Sequence, residues 1–474
     1  MKILYASSEA YPFAMSGGLA DVAGALPKEL RRRFVGCRVV MPLYDTVSEE
    51  LRSKMTFLCS ITVPVAWRRQ YCGVFEAHVD GVIYYLIDNQ YYFNRGSLYG
   101  HYDDAERFAF FSRAVLEIIP HINFTPDIIH CNDWQTALVP VYLDAYYKFD
   151  PLYSNIKTVF TIHNIQYQGI YGHEILSDVF GFSNDALGLL DFSGCINLMK
   201  AAIQCSHKVT TVSPTYSKEI LDPYFSHGLD PILKQFTYKL CGIVNGIDYD
   251  VYNPEEDKLI YKNFSHEDTS GKAENKKRLQ KDMKLEQRAD VPLIGIVTRF
   301  ADHKGLDLVQ CVFEDIMKAD VQFVILGSGE WKYEHFFSSM AEKYPGRVGL
   351  KLGFDPTLAH RIYAGADIFL MPSKSEPCGL AQMVALRYGT VPIVRETGGL
   401  NDTIFDSGDG KGNGFTFNQY NAHDMLNAIW RAVAGYEDKE GWATLSKRGM
   451  LCNNSWSSSA NQYIKLYKEL IGEK

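Results

Sequence analysis

An α/β class of two doubly wound domains, each a mostly parallel sheet with helices on both faces, is what this sequence predicts. Three observations carry it. Short apolar runs alternate with helical patterns almost throughout. A chain of 474 residues is longer than one hydrophobic core supports. A six-residue phrase also occurs twice, as Ser16-Gly17-Gly18-Leu19-Ala20-Asp21 and as Thr397-Gly398-Gly399-Leu400-Asn401-Asp402. Each copy follows a strand-like run and precedes a helical one. A Gly pair there leaves no Cβ between backbone N–H groups and a ligand, and the helix start adds partial positive charge. Two such loops, one per half, point to one ligand gripped from both sides.

The elements follow in order. Lys2–Ala6 reads as the first strand and Leu19–Arg33 as a helix. Val74–Val79 and Val82–Ile87 flank Asp80-Gly81, a strong hairpin signal, which we place at an edge of the first sheet. Asp127–Cys131 is a strand, followed by a helix from Gln135 to Tyr147, and Lys157–Ile162 and Lys208–Val212 are buried strands. The first domain is expected to span 1–243, with the boundary near Gly242–Asp250, and the second 244–455. Glu255–Arg288 is poor in large apolar residues and reads as linker plus surface helix. Strands are then expected at Pro292–Thr298, Val321–Leu326, Val348–Leu352, Ile368–Met371 and Val391–Val394. The helices between them are Gly305–Met317, Glu330–Tyr344, Pro356–Ala364 and Gly379–Tyr388. Tyr463, Leu466, Tyr467 and Leu470 give Trp456–Ile471 helical spacing. Open α/β sheets bind ligands outside their strand C-terminal ends, so two such sheets predict a cleft between facing ends.

Bulk composition narrows the function. A net charge of −8, with Arg31-Arg32-Arg33 as the one compact basic block, opposes nucleic-acid binding, and the block reads as a solvated helix end. The ten Cys form no C-x-x-C pair and no Cys/His cluster, which fits a reducing cytoplasm and no metal. The N-terminus turns polar at Ser7-Ser8-Glu9, too early for a signal-peptide core, and no apolar run suits a membrane span. Aromatic content of 13% favours a carbohydrate ligand, because planar rings stack on sugar faces.

Chemistry-bearing residues gather at strand ends. Arg299 closes a strand and Lys304 opens the next loop, a pair suited to a diphosphate: Arg offers a fork and Lys a point charge. Glu376 can accept hydrogen bonds from sugar hydroxyls, and the amides at Cys378, Gly379 and Leu380 can meet an anion. His130-Cys131-Asn132-Asp133-Trp134 and Thr161-Ile162-His163-Asn164 end two strands of the first domain, bringing Asp133, His163 and Asn164 to its side of the cleft. Two decoys are set aside. Asp248-Tyr249-Asp250 resembles a metal motif but lies in a turn-rich loop, and Gly408-x-Gly410-x-Gly412-x-Gly414 reads as a hairpin or surface loop.

With those residues assembled, the chain resembles the starch/glycogen synthase family of retaining glucosyltransferases over essentially its whole length. The resemblance rests on Ser16–Asp21, Asn89–Phe111 with Tyr92-Phe93-Asn94-Arg95, His130–Trp134, Thr161–Gly169, Asn245–Asp248, Arg299–Gly305, Glu376–Leu380 and Thr397–Asp402, in the family's order. It implies a GT-B architecture with a last helix, 456–474, returning to the first domain. It implies glucose transfer from ADP-glucose to the non-reducing end of glycogen or another α-1,4-glucan, without a metal or other cofactor. Arg299 and Lys304 match the pair that stabilises the departing phosphate, and Glu376 the carboxylate that holds glucosyl hydroxyls. His163 matches a residue whose carbonyl faces the anomeric carbon, Asp133 the first-domain acid near the sugar, and Asn245 a residue near the donor glucose. Thr397, Gly398 and Gly399 match the loop that meets the phosphates, and Ser16, Gly17, Gly18 and Asp21 its first-domain counterpart. Phe354 stands where the family has Tyr beside adenine. Met15 stands where the family has a Lys that assists donor binding. That departure keeps open a non-catalytic or weakly active glucan-binding homologue, and a GT-B transferase using another nucleotide sugar stays open because the base pocket is mostly loop.

Overall fold

Eighteen strands and their connecting helices build the fold of residues 1–473, which the computed structural model describes. They divide into two units, Met1–Asn245 with Trp456–Lys474, and Gly246–Ser455.

The first unit holds β1 (Lys2–Ala6), β2 (Gly36–Pro42), β3 (Thr56–Val65), β4 (Arg68–Val79), β5 (Val82–Asp88), β6 (Ile128–Asn132) and β7 (Lys157–Ile162). β8 (Ile170–Tyr171), β9 (Asp191–Phe192) and β10 (Cys195–Asn197) form a small separate sheet, and β11 (Lys208–Thr211) and β12 (Leu240–Gly242) complete the large one. Its order is β12-β11-β7-β6-β1-β2-β5-β4-β3. All pairs from β12 to β5 are parallel, while β3–β4 and β4–β5 are antiparallel. Central strands are continuous apolar runs because helices cover both faces: Ile3 to Ala6, Ile128 and Ile129, and Val159 and Phe160 are all fully buried.

The second unit holds β13 (Leu293–Val297), β14 (Gln322–Gly327), β15 (Val348–Leu352), β16 (Ile368–Met371), β17 (Val391–Arg395) and β18 (Phe415–Phe417), all parallel in the order β15-β14-β13-β16-β17-β18. Alternate residues feed two cores. Ile294, Ile296, Phe323 and Ile325 pack with Val309 and Ile429, while Leu293, Val324 and Leu326 pack with Leu279 and Ile362. In both sheets the neighbouring parallel strands end at the same edge, so loops far apart in sequence meet there.

The terminal helix Trp456–Ile471 packs on the helix Gly18–Arg32 within the first unit. Tyr467 OH lies 2.6 Å from His130 Nδ1, and His130 Nε2 lies 2.6 Å from Thr161 Oγ1. His130 is thus spent on anchoring this helix.

Several expectations are corrected. The Asp80-Gly81 hairpin is not the sheet's edge. β3 is, and its Phe57, Cys59, Ile61, Val63 and Val65 alternate with largely exposed positions, a half-buried pattern rather than the continuous apolar run of the central strands. The single helix expected over Gln135–Tyr147 is broken into a 3-10 turn (Trp134–Thr136), an α segment (Leu138–Tyr142) and a π turn (Leu143–Tyr147). Pro140 lies in the first turn of the α segment, where its missing N–H would have had no partner, so the segment runs through it and the changes of helix type fall on either side. Arg33 is not a solvated helix end. Its guanidinium donates to Ser457 Oγ and Asn461 Oδ1 of the terminal helix. The Gly408–Gly414 segment is a loop rather than a hairpin, since Asp406 and Gly414 bridge in parallel. Asp248–Asp250, in contrast, is a turn as expected, with Asp250 N–H donating to Asp248 Oδ1 at 2.9 Å.

Candidate active site

In the first unit, the ends of β6 and β7 are tied by Asp133. Its N–H donates to Thr161 O at 2.9 Å, and its Oδ1 accepts His163 N–H at 2.7 Å. The Asn164 N–H also bonds to this carboxylate. These three bonds hold Asp133 at φ +55°, a conformation that β-carbon residues rarely adopt and that concentrates at functional sites. Desolvation pushes its carboxyl up to about 7, against the pull of the two amides. His163 presents Nε2 to Asn132 Oδ1 at 2.9 Å. That oxygen also accepts Tyr5 OH at 2.9 Å, and Asn132 Nδ2 donates to Ala6 O, so the amide orientation is fixed. His163 Nε2 is therefore the donor. Burial lowers the ring to about 3, which makes it a neutral imidazole at physiological pH.

The first Gly loop is exposed from Met15 to Gly18, and Gly17 caps the helix Gly18–Arg32 with Asp21 in its first turn. Desolvation raises Asp21 to about 6. Glu9, which sequence reasoning missed, reaches this loop. Its Oε2 accepts Ser16 N–H at 2.5 Å, and its carboxylate also bonds to the Ser16 side chain and the Gly17 amide. Asn245 is buried, and its Oδ1 has no hydrogen-bond partner among the described residues. An unpaired buried amide oxygen costs about 1–3 kcal/mol, which a polar ligand relieves.

In the second unit, Arg299 follows β13 and is exposed. Lys304 ends a 3-10 turn in the same loop, and its Nζ lies 2.8 Å from Glu376 Oε2. Ser373 Oγ donates to that same oxygen at 2.9 Å. The cation and carboxylate that the sequence assigned to phosphate and sugar are thus held against each other. The Lys304 loop turns at Gly305, whose φ is +72° and whose added Cβ would lie 2.0 Å from Pro372 O. Only glycine lets this loop lie on the segment that carries Ser373 and Glu376.

Gly398 and Gly399 serve a similar close approach. Added Cβ atoms would lie 2.0 Å from Glu376 O and 2.1 Å from Cys378 O, and Gly399 N–H donates to Glu376 O and Pro377 O. The echo of the first loop therefore packs the Thr397 loop against the Glu376 loop. Gln382, a second residue that sequence reasoning missed, ties the same pieces. Its Nε2 donates to Cys378 O and Gly379 O, and to Thr403 Oγ1 on the helix Gly398–Thr403. A polar side chain on the buried face of an amphipathic segment was its only sequence signal. Leu380 precedes the helix Ala381–Arg387, and Phe354 stands 82% exposed in the loop after β15, bonded to none of the groups above. Asp133, His163 and Asn164 are thus brought together in the first unit, and Lys304, Glu376, Cys378, Gly379 and Gly399 in the second, while Phe354 stands apart.

Comparisons with known proteins complete these observations. A family model described as the starch synthase catalytic domain matches residues 2–235, and one described as glycosyl transferases group 1 matches residues 277–448. The chain is 53% identical to the glycogen synthase of Geobacillus thermodenitrificans (strain NG80-2), covering 99% of this chain and 98% of that protein. It is 51% identical to the glycogen synthase of Bacillus cereus (strain B4264), over 99% and 100%. Among solved structures, the catalytic domain of starch synthase IV from Arabidopsis thaliana, bound to ADP and acarbose, matches with a TM-score of 0.94. It is 34% identical, covering 100% of this chain and 99% of that one.

Proposed function

Since the chain belongs to the starch and glycogen synthase family and has its two-domain GT-B class of fold, we propose that it transfers glucose from ADP-glucose to the non-reducing end of an α-1,4-glucan with retention of configuration. The observation that carries this reading is similarity over essentially the full length to glycogen synthases, with the chemistry-bearing residues present.

Unit 2 supplies the donor's machinery in this reading. As the bond from the anomeric carbon to the diphosphate lengthens, negative charge grows on the leaving oxygen and positive charge on the sugar ring. Arg299 and Lys304 stabilise the first, which is productive because the charge is fully developed only in the transition state. Glu376 holds glucosyl hydroxyls. Its pairing with Lys304 keeps both groups oriented before the donor arrives, and a Lys ammonium has two further protons for phosphate oxygens. Unit 1 supplies the acceptor's side, together with further groups for the donor in its first Gly loop and at Asn245. Asp133 fixes the His163–Asn164 backbone, so the His163 carbonyl is available to the anomeric centre. The departing phosphate takes the acceptor hydroxyl's proton on the same face, which gives retention without a protein nucleophile. Asn245 Oδ1 is the remaining acceptor for a donor hydroxyl.

We assign no cofactor, because in this reading Arg299 and Lys304 supply the positive charge for the diphosphate. We assign the cytoplasm as its compartment. The ten cysteines are free, as a reducing compartment keeps them, and no helix among the described residues is long and apolar enough to cross a membrane.

Purified protein incubated with ADP-glucose and glycogen should release ADP and lengthen the glucan. Tight glucan binding without ADP release would instead favour a retired scaffold, the reading that Met15 supports. Turnover with UDP-glucose alone would reassign the donor.

A further inference from the structure

Two amides of the first Gly loop, those of Ser16 and Gly17, are held by Glu9. Glu9 leaves β1, is 3% exposed, and reaches across the tight Ala10–Ala14 turn to the loop that follows it. Ala10 O accepts Phe13 N–H and Ala14 N–H, and Tyr11 N–H donates to Ala20 O on the helix Gly18–Arg32. The chain thereby doubles back, so that Ser16 returns to Glu9 with its N–H 2.5 Å from Oε2. The Ser16 side chain and the Gly17 amide share the carboxylate. Behind Glu9, Tyr44 OH donates to Ser8 O at 2.8 Å, and Ser8 Oγ lies 2.7 Å from Tyr99 OH. The base of the loop is therefore fixed in the core while its tip is exposed. Asp21 and Asp133 are carboxyl groups that interact electrostatically with Glu9, and desolvation pushes Glu9 itself up to about 7. A buried carboxyl among acids is an expensive choice for stability alone.

From this geometry we propose that Glu9 is a positioning residue for the donor: it clamps Ser16 and Gly17 so that the N–H groups opening the helix Gly18–Arg32 stay aimed at the donor's diphosphate. The first N–H groups of a helix have no intrahelical partner and suit an anion, but only if the loop before them holds still. A glycine pair at an exposed tip has the largest conformational freedom to lose, and the clamp removes it before the donor binds. Glu9 touches no substrate in this account and acts only through the loop.

The proposal rests on the donor reading above, and its test separates the two. Amide hydrogen exchange reads the loop with no substrate present, and calorimetry with ADP alone reads the donor site without turnover. Glu9→Ala should speed exchange at Ser16 and Gly17 by a hundredfold or more. It should also weaken ADP binding at least tenfold and raise the KM for ADP-glucose in step, with the KM for glycogen within twofold of wild type. Glu9→Gln keeps an acceptor oxygen at the same reach, and should recover most of the ADP affinity. Unchanged exchange in Glu9→Ala, or unchanged ADP affinity beside a wild type that binds ADP, overturns the proposal. So does a loss shared by donor and acceptor with Gln no better than Ala, which marks general destabilisation. A wild type that binds no ADP defeats the donor reading and this proposal together.

Discussion

Met15 is the residue at which this chain departs from the pattern it otherwise follows, and its surroundings define what the departure costs. It stands 47% exposed at the start of a loop that Glu9 clamps one residue later. A Lys there would add a charge-assisted hydrogen bond to a phosphate, worth about 1.5–3 kcal/mol. At about 1.4 kcal/mol per tenfold, Met15→Lys should improve donor KM or kcat by roughly ten- to a hundredfold. Steady-state kinetics with ADP-glucose check this, and unchanged values would remove position 15 from the donor site. Lys304 and Glu376 carry the opposite lesson. The sequence offers them as two separate ligand groups, while the fold makes each the other's partner at 2.8 Å.

Among the loops, close approach is bought with glycine. Gly305 and Gly398 both combine a left-handed φ with a backbone oxygen 2.0 Å from any added Cβ. Strain and steric overlap can be told apart, because Gly410 shares the φ (+74°) and has nothing within 4 Å. Gly410→Ala should cost about 1 kcal/mol, the backbone penalty alone. Gly305→Ala should cost about 2–4 kcal/mol, because Pro372 must also move, and activity should fall as Lys304 parts from Glu376. Urea denaturation of the two variants makes the comparison. Equal losses would mean that the loop at Gly305 yields freely. At the same scale, apolar periodicity alone extended one helix to Tyr147, while the fold strings together a 3-10 turn, an α segment and a π turn.

For the whole molecule, ligand linkage is the informative measurement. A ligand that binds only the folded chain stabilises it by RT ln(1 + [L]/Kd), about 2.7 kcal/mol at a hundredfold excess over Kd. ADP should therefore raise the melting temperature of the protein by several degrees. Lys304→Ala should abolish most of that shift and lower kcat by orders of magnitude, while the ligand-free protein stays folded at a lower melting temperature because Glu376 loses its cation. A full ADP shift and near-normal turnover in Lys304→Ala would rule out its role at the diphosphate.

The sequence by itself determined the features that are written locally. Strand and helix identities are local, because apolar period and turn residues report which face of a short segment is buried. β1, β7, β15, β16 and the terminal helix were legible to the residue in this way. So were the strand-end positions of Asp133, His163, Arg299 and Lys304, since a ligand-capable residue just past an apolar run is itself a local pattern. β3 was missed, because it carries only the alternating pattern from Phe57 to Val65 that a half-solvated edge strand shows, in place of a continuous apolar run. Only the tertiary structure decided who meets whom. Asp133 with the His163 amide, Lys304 with Glu376, and His130 with Tyr467 lie 30, 72 and 337 residues apart. Those pairings follow from strand order and register, which no local pattern encodes. Glu9 and Ser16 lie only 7 residues apart, yet their bond also depends on how the intervening turn folds back onto the core.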